Sequence, residues 1–324
     1  NVTVLVVMAA LFAGPAVAQQ ASSGVSPFVI NSLFVLFCGV LVMWMTAGFA
    51  MREAGFVRQK NVVAQCAKNI GLCAIASTAF VLTGYGFMFP NGNWILPGVL
   101  GSAGSIEIEG VVDAGADFVG RGHAGAADIF FQSMFCVAVA SIVSGTIAER
   151  VKLAPFFVFI AVLTAVIYPI QASWTWGGGF LASEFGFKDL AGSTVVHVVG
   201  GVAALTGAIF VGARQGRFVD GKKVALGNYS LPLATIGTLI LWMGWYGFNA
   251  GSYLSFSSDA DAANVARIFL NTNLAAAGGV IAAAFVSYFR ESRFDLSFML
   301  TGALYGLAAI TAEPLSPSPF LAFS

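Results

Sequence analysis

The chain has 324 residues, 58% of them hydrophobic and only 9% charged, and its basic and acidic side chains balance to a net charge of zero. Soluble domains carry about 25% charged residues, so this composition excludes a water-clothed globule of this size. Lipid must cover much of the surface, and sustained apolar stretches in hydrocarbon must be helices, which satisfy their own backbone. The fold class is therefore all-α integral membrane.

Residues 1–18 come first. The apolar run from Val2 to Ala18 ends in Ala16-Val17-Ala18 before Gln19-Gln20, the pattern of a signal peptide with a small-residue cleavage site. The competing reading is an extra transmembrane helix, and the shortness of the run favours the leader. Apolar runs long enough to span follow near 28–50, 61–87, 126–148, 153–172, 192–213, 226–251, 264–289 and 296–312. A further span opens at Pro319-Phe320-Leu321. Between the second and third runs lies a Gly-rich, acidic connection from Phe89 to Gly125 without helical period, read as an ordered external loop.

With residue 28 starting outside, the inner connections hold Arg52, Arg58, Lys60, Arg150, Lys152, Arg214, Arg217, Lys222, Lys223, Arg290 and Arg293. The outer ones hold only Arg121, Lys188 and Arg267, and Lys68 falls within a span. That bias obeys the positive-inside rule and predicts a multi-pass protein of the inner (plasma) membrane with its mature N-terminus outside. Outer carboxylates outnumber inner ones: Glu107, Glu109, Asp113, Asp117, Asp128, Glu184, Asp189, Asp259, Asp261 and Glu313 against Glu53, Glu149, Asp220, Glu291 and Asp295. Such a face would concentrate cations, although loop solubility accounts for it equally well. Cys38, Cys66, Cys73 and Cys136 all fall in apolar stretches and read as small core hydrophobes. With two histidines and no paired cysteine spacing, neither a zinc site nor another cofactor is expected.

Candidate chemistry is sparse. His197 sits inside the apolar run Val195-Val196-His197-Val198-Val199, and an ionisable residue in a span usually faces a cavity or the bundle interior. A neutral imidazole bonded to a neighbouring helix is the bland alternative. Asp189, near the start of the same helix, is placed to cap the backbone donors of Leu190 to Gly192, with a direct ligand role secondary. The stretch Trp242 to Ser252 reads as an interfacial aromatic belt. Yet Gly244, Gly247 and Gly251 at helical spacing predict that one face packs against protein. Phe248 and Ser252, four apart, share a face.

Taken together and in order, several stretches resemble the ammonium transporter (Amt/Rh) family, Amt branch, from the first run through the eighth. They are Gly48-Phe49-Ala50-Met51-Arg52-Glu53-Ala54-Gly55 with Arg58-Gln59-Lys60-Asn61, Ala148-Glu149-Arg150, Trp176-Gly177-Gly178-Gly179, Asp189 through His197, Gly244 through Ser252, and Asn271-Thr272-Asn273. The resemblance implies a transporter domain over 28–324 in an Amt/Rh-type helical bundle with an inverted five-helix repeat. Eight of an expected eleven spans are present, in a homotrimer with one pore per subunit. It also implies that Trp176 and Ser252 form an outer ammonium site and that Phe131-Gln132-Ser133-Met134-Phe135 is the gate segment. Phe135 and Phe248 would be stacked rings over the pore, His197 the first of two pore histidines, and Asp189 the aspartate beneath the outer site. The second pore histidine belongs to the tenth span of the family, so the sequence is expected to be a C-terminally incomplete piece rather than an intact short pore. Leu190 and Ser193 depart from the commoner choices in the aspartate motif.

Physical chemistry then suggests a route. Trp176 offers cation–π attraction of about 0.5–2 kcal/mol and Ser252 one acceptor. Neither offsets carrying a bare charge through hydrocarbon. Ammonium should therefore lose its proton at the phenyl gate and continue as ammonia past His197, which leaves potassium behind. The competing class is an ammonium sensor domain of a signalling protein. An Rh-type gas channel is disfavoured by the cation site at Trp176 and Ser252, and an enzyme by the lack of a nucleophile–base pair. The resemblance also implies a PII-type signal protein as partner at the inner mouth, while nucleic acid is not expected.

Overall fold

The computed structural model describes residues 25–103 and 122–324. The expected leader and the loop residues Glu107, Glu109, Asp113, Asp117 and Arg121 lie outside these. Among the described residues, seven helices are long and apolar enough to cross a membrane: α1 (Pro27–Phe56), α2 (Gln59–Met88), α3 (Gly125–Thr146), α4 (Leu153–Ser173), α5 (Ser193–Val211), α6 (Leu231–Gly251) and α7 (Asp259–Glu291). An eighth, α8 (Leu296–Ile310), is apolar but shorter, and its 15 residues rise about 22 Å at 1.5 Å per residue. The chain then turns and forms a five-residue helix, α9 (Pro319–Phe323), capped by the Ser318 hydroxyl, which accepts from the Leu321 N–H.

Within the described residues, each span-length apolar run is largely helical, but some ends move. α1 runs past residue 50 to Phe56, so Arg52 and Glu53 lie inside the helix rather than in a connection. α7 starts at Asp259 rather than 264 because Ser258 and Asp261 cap each other reciprocally. α3 starts early enough to place Asp128 in its first turn.

Glu53 and Asp128 are accordingly buried, not loop charges, and each is tolerated because partners replace water. Glu53 accepts from Asn69 at 3.0 Å, Ser144 at 2.8 Å and Gln65, with the Lys68 ammonium 3.8 Å away. Asp128 accepts from the Tyr85 hydroxyl at 2.7 Å and lies 3.2 Å from His123 Nε2.

The most extensive helix pairing is α1 with α6. Small residues permit it: a Cβ on Gly48 would lie 2.9 Å from the Gly237 carbonyl oxygen, closer than real side chains sit. Gly244, Gly247 and Gly251 of α6 lie against Met45, Leu41 and Cys38 of α1, so that face does pack on protein. The most deeply buried span is α3, and it carries the core of the bundle. Cys38 and Cys136 are buried in that core, whereas Cys66 is exposed, contrary to expectation; all four cysteines are free.

Two antiparallel ribbons complete the fold. β1 (Trp94–Leu96) pairs with β2 (Leu100–Gly101) inside the connection read as an ordered external loop. The second ribbon, β3 (Phe218–Val219) with β4 (Lys222–Lys223), projects from the α5–α6 connection.

The basic connections meet at one end of the bundle. There Glu149, with a left-handed φ of 64°, receives the Arg58 N–H at 3.1 Å, the Arg58 Nε at 3.0 Å and the Asn61 amide. Arg214 approaches its other oxygen at 3.3 Å. One carboxylate thus ties three connections together. At the opposite end Asn31 bonds the Gly122 carbonyl and the Phe256 N–H, and Leu190 bonds Ala312.

Candidate functional site

At that second end, α3 contributes Phe131, Gln132 and Phe135 to a cavity of about 210 Å³, and the segment after α4 contributes Trp176. Ser252, one residue beyond α6, and Phe89, Leu190 and Leu254 complete the lining. Helical spacing puts Phe131 and Phe135 on one face of α3, with centroids 4.6 Å apart. Phe135 then meets Phe248 of α6 in a stack, centroids 4.0 Å apart at 26°, and presents an edge to Trp176 at 6.0 Å. Both phenyl rings of the stack are fully buried. Phe135 lines the cavity, and Phe248 lies stacked against it.

Each polar atom at the mouth has a defined role. The Trp176 indole N–H donates to the Asp189 carbonyl at 2.7 Å, which fixes the plane of the ring. The Ser252 hydroxyl donates to the Phe248 carbonyl at 2.9 Å. With its proton committed, the Ser252 oxygen keeps its lone pairs as acceptors. Gln132, missed as a site residue when the sequence was read, places a buried Oε1 without a partner among the described residues. Its signal was present only as a polar residue between two phenylalanines in the gate segment.

Asp189 caps α5, but further along than expected. Its Oδ1 accepts from Gly192 and Ser193 at 2.8 and 2.9 Å, and its Oδ2 from Thr194 and Val195 at 2.7 and 2.9 Å. Only Gly192 was among the expected donors. The N–H groups of Leu190 and Ala191 are instead taken by the carbonyls of Ala312 and Thr311, after α8. With four backbone donors on two oxygens, the carboxylate is engaged by the helix start.

α5 opens with a wide turn over Ser193–Val198, in which the Gly192 carbonyl accepts from both Val196 and His197 N–H groups. Gly192 has φ of 103°, a conformation open to glycine, and a Cβ there would meet Val196 and the Trp176 ring. The wide turn swings the half-buried His197 beneath the phenyl pair, 5.5 Å from Phe248 between centroids. His197 also stacks on Trp245 at 5.1 Å and 16°, and the Trp245 N–H is held by the Thr311 hydroxyl at 2.8 Å. Trp245 was read only as part of an aromatic belt; its stacking partner lies in another helix, out of reach of local pattern.

In order from the mouth, the structure thus lines up an indole with a hydroxyl oxygen, a stacked phenyl pair and an imidazole. It brings together Trp176, Ser252, Phe131, Phe135, Phe248 and His197, with Asp189 behind Trp176.

Comparison with known proteins gives concordant matches. A family model described as Ammonium Transporter Family matches residues 33–323. The ammonium transporter Amt2 of Archaeoglobus fulgidus is 41% identical over 293 residues, which cover 87% of this chain and 59% of that protein. The putative ammonium transporter sll1017 of Synechocystis sp. is 38% identical, over 94% of this chain and 68% of that one. Among solved structures, a protein described as Sensor Amt Protein superposes with a TM-score of 0.81 at 35% identity, covering 92% of this chain and 71% of that one. Mep2 of Candida albicans superposes with a TM-score of 0.80 at 28% identity, over 90% and 62%. The chain spans about three fifths of the Archaeoglobus relative.

Proposed function

The chain belongs to the ammonium transporter family, and from that premise we propose that it conducts ammonium nitrogen across the membrane by separating ammonia from its proton at the Phe135–Phe248 pair. The observation that carries this reading is the 4.0 Å stack of those rings between a cation-attracting mouth and the His197 imidazole.

Ammonium reaching the cavity must replace hydration. The Trp176 face attracts the charge, worth about 0.5–2 kcal/mol, and the Ser252 oxygen accepts an N–H. The Gln132 carbonyl oxygen, without a partner among the described residues, adds a second acceptor in the same cavity. Below it, two fully buried phenyl rings offer no replacement for water around a charge, and a charge in hydrocarbon is costly. Neutral ammonia bears no such cost. His197 then offers a hydrogen bond on the far side. Potassium, which has no proton to leave behind, is stopped at the rings.

The family resemblance extends the proposal to a homotrimer in the plasma membrane, with the basic connections cytoplasmic and a PII-type protein docking on them. The eleven-span inverted repeat and the transporter domain over 28–324 belong to the same proposal. An ammonium sensor is the second reading, favoured by the likeness to the Sensor Amt Protein.

The test is ammonium and potassium flux in proteoliposomes of the full-length protein, wild type against Phe135→Ala with Phe248→Ala. Ammonium flux without potassium flux, with potassium admitted by the double variant, is the expected result. Ammonium binding without flux in the wild type would transfer the case to sensing.

A further inference from the structure

A second polar cavity, of about 380 Å³, lies at the opposite, basic end, between the turn after α3 and the connection after α5. Arg150, Arg214 and Arg217 line it together with Asn228. Their charges are unequally answered. Arg214 faces Glu149 at 3.3 Å, but that carboxylate is already shared with Arg58 and Asn61. Arg150 donates to the Gly212 carbonyl at 2.6 Å and Arg217 to the Val224 carbonyl at 2.8 Å, and neither makes an ion pair among the described residues. A carbonyl takes a hydrogen bond without neutralising a charge.

Arg150 is the sharpest case. Its Nε is buried and has no partner among the described residues, an omission that costs free energy unless something answers it. Burial, and then the neighbouring Arg214 charge, pull its pKa below the usual arginine value, so the two guanidinium groups feel each other. Asp220, at the tip of the β3–β4 ribbon, makes no ion pair with them among the described residues.

The geometry points to a binding site for a phosphate group in this cavity, held by Arg150, Arg214 and Arg217 with the Asn228 amide beside them. Three planar guanidinium groups lining one cavity match a tetrahedral anion with several oxygens better than a lone carboxylate. The volume leaves room for what the phosphate is attached to. Two sources share that chemistry, an anionic lipid headgroup and a soluble phosphate. Basic pockets at the ends of spans suit the former. The inference does not rest on the transport reading.

Full-length protein in neutral detergent is melted with inorganic phosphate against chloride at matched ionic strength. It is melted again in vesicles of phosphatidylcholine with and without phosphatidylglycerol. The midpoint should rise in one arm: with phosphate in detergent if the ligand is soluble, with phosphatidylglycerol alone if it is a headgroup. Arg150→Gln with Arg217→Gln should weaken that binding about tenfold or more. Lys222→Gln with Lys223→Gln, nearby but outside the cavity, should leave it intact. Arg217→Gln alone, which gives up a single ribbon contact, serves if the double variant does not fold. No rise in either arm, a rise that the arginine variants retain, or one that the lysine variant loses equally overturns the site.

Discussion

The Nδ1 of His197 lies 3.1 Å from the carbonyl oxygen of Gly192, five residues earlier in the chain. A carbonyl only accepts, so Nδ1 carries a proton, and in the neutral ring Nε2 keeps its lone pair. On the proposed route the imidazole would therefore meet ammonia as a hydrogen-bond acceptor. The wide turn at the start of α5 is what brings ring and carbonyl together.

His197→Ala in the full-length protein removes that acceptor from the path. Loss of one hydrogen bond in a dry site is worth about 1–3 kcal/mol, so ammonium flux in proteoliposomes should fall about tenfold. Undiminished flux with unchanged selectivity would exclude this imidazole from the path.

At the mouth, Ser252→Ala should raise the ammonium concentration for half-maximal flux by about fivefold, the worth of one hydrogen bond. Ser252→Thr, which keeps the oxygen, should not. Trp176→Leu should act in the same direction by removing cation–π attraction. If the half-saturating concentration stays put in both Ser252→Ala and Trp176→Leu, the cavity is not where ammonium is recruited.

The Glu53–Lys68 pair predicts a pattern in stability rather than in flux. Removing one partner of a buried pair strands the other and costs about 3–5 kcal/mol. Lys68→Met alone should therefore lower the melting midpoint in detergent more than Lys68→Met combined with Glu53→Gln. A double variant that melts below the single one would mean the carboxylate is not held by this lysine.

Glu149 predicts a pH dependence. Burial pushes its carboxyl upward, but the bonds from Asn61 and Arg58 and the charge of Arg214 outweigh that and hold it below its usual 4.5. A depressed carboxyl stabilises the fold above its unfolded pKa, and the contribution drains away as pH falls through the lower folded value. The wild-type midpoint should thus drop on acidification below 4.5, and Glu149→Gln, less stable at neutral pH, should drop less. Parallel curves for the two proteins would remove Glu149 from the clasp between connections.

What the sequence determined by itself was everything governed by local pattern and composition. Few charges and long apolar runs require helices in lipid, since only a helix closes its own hydrogen bonds there. The glycine spacing of Gly244, Gly247 and Gly251 announced a packed face, and the position of Asp189 announced a cap. What the tertiary structure alone decided were relationships across large separations in the chain. Phe135 stacks on Phe248 from another helix, Trp245 stacks on His197, and Glu53 meets residues of both α2 and α3. Asp189 capped later donors than expected because Leu190 and Ala191 had found carbonyls beyond α8. The physical reason is common to all of these. Hydropathy and capping act within a few turns of one helix, whereas a buried polar group or an aromatic face takes whichever partner packing delivers.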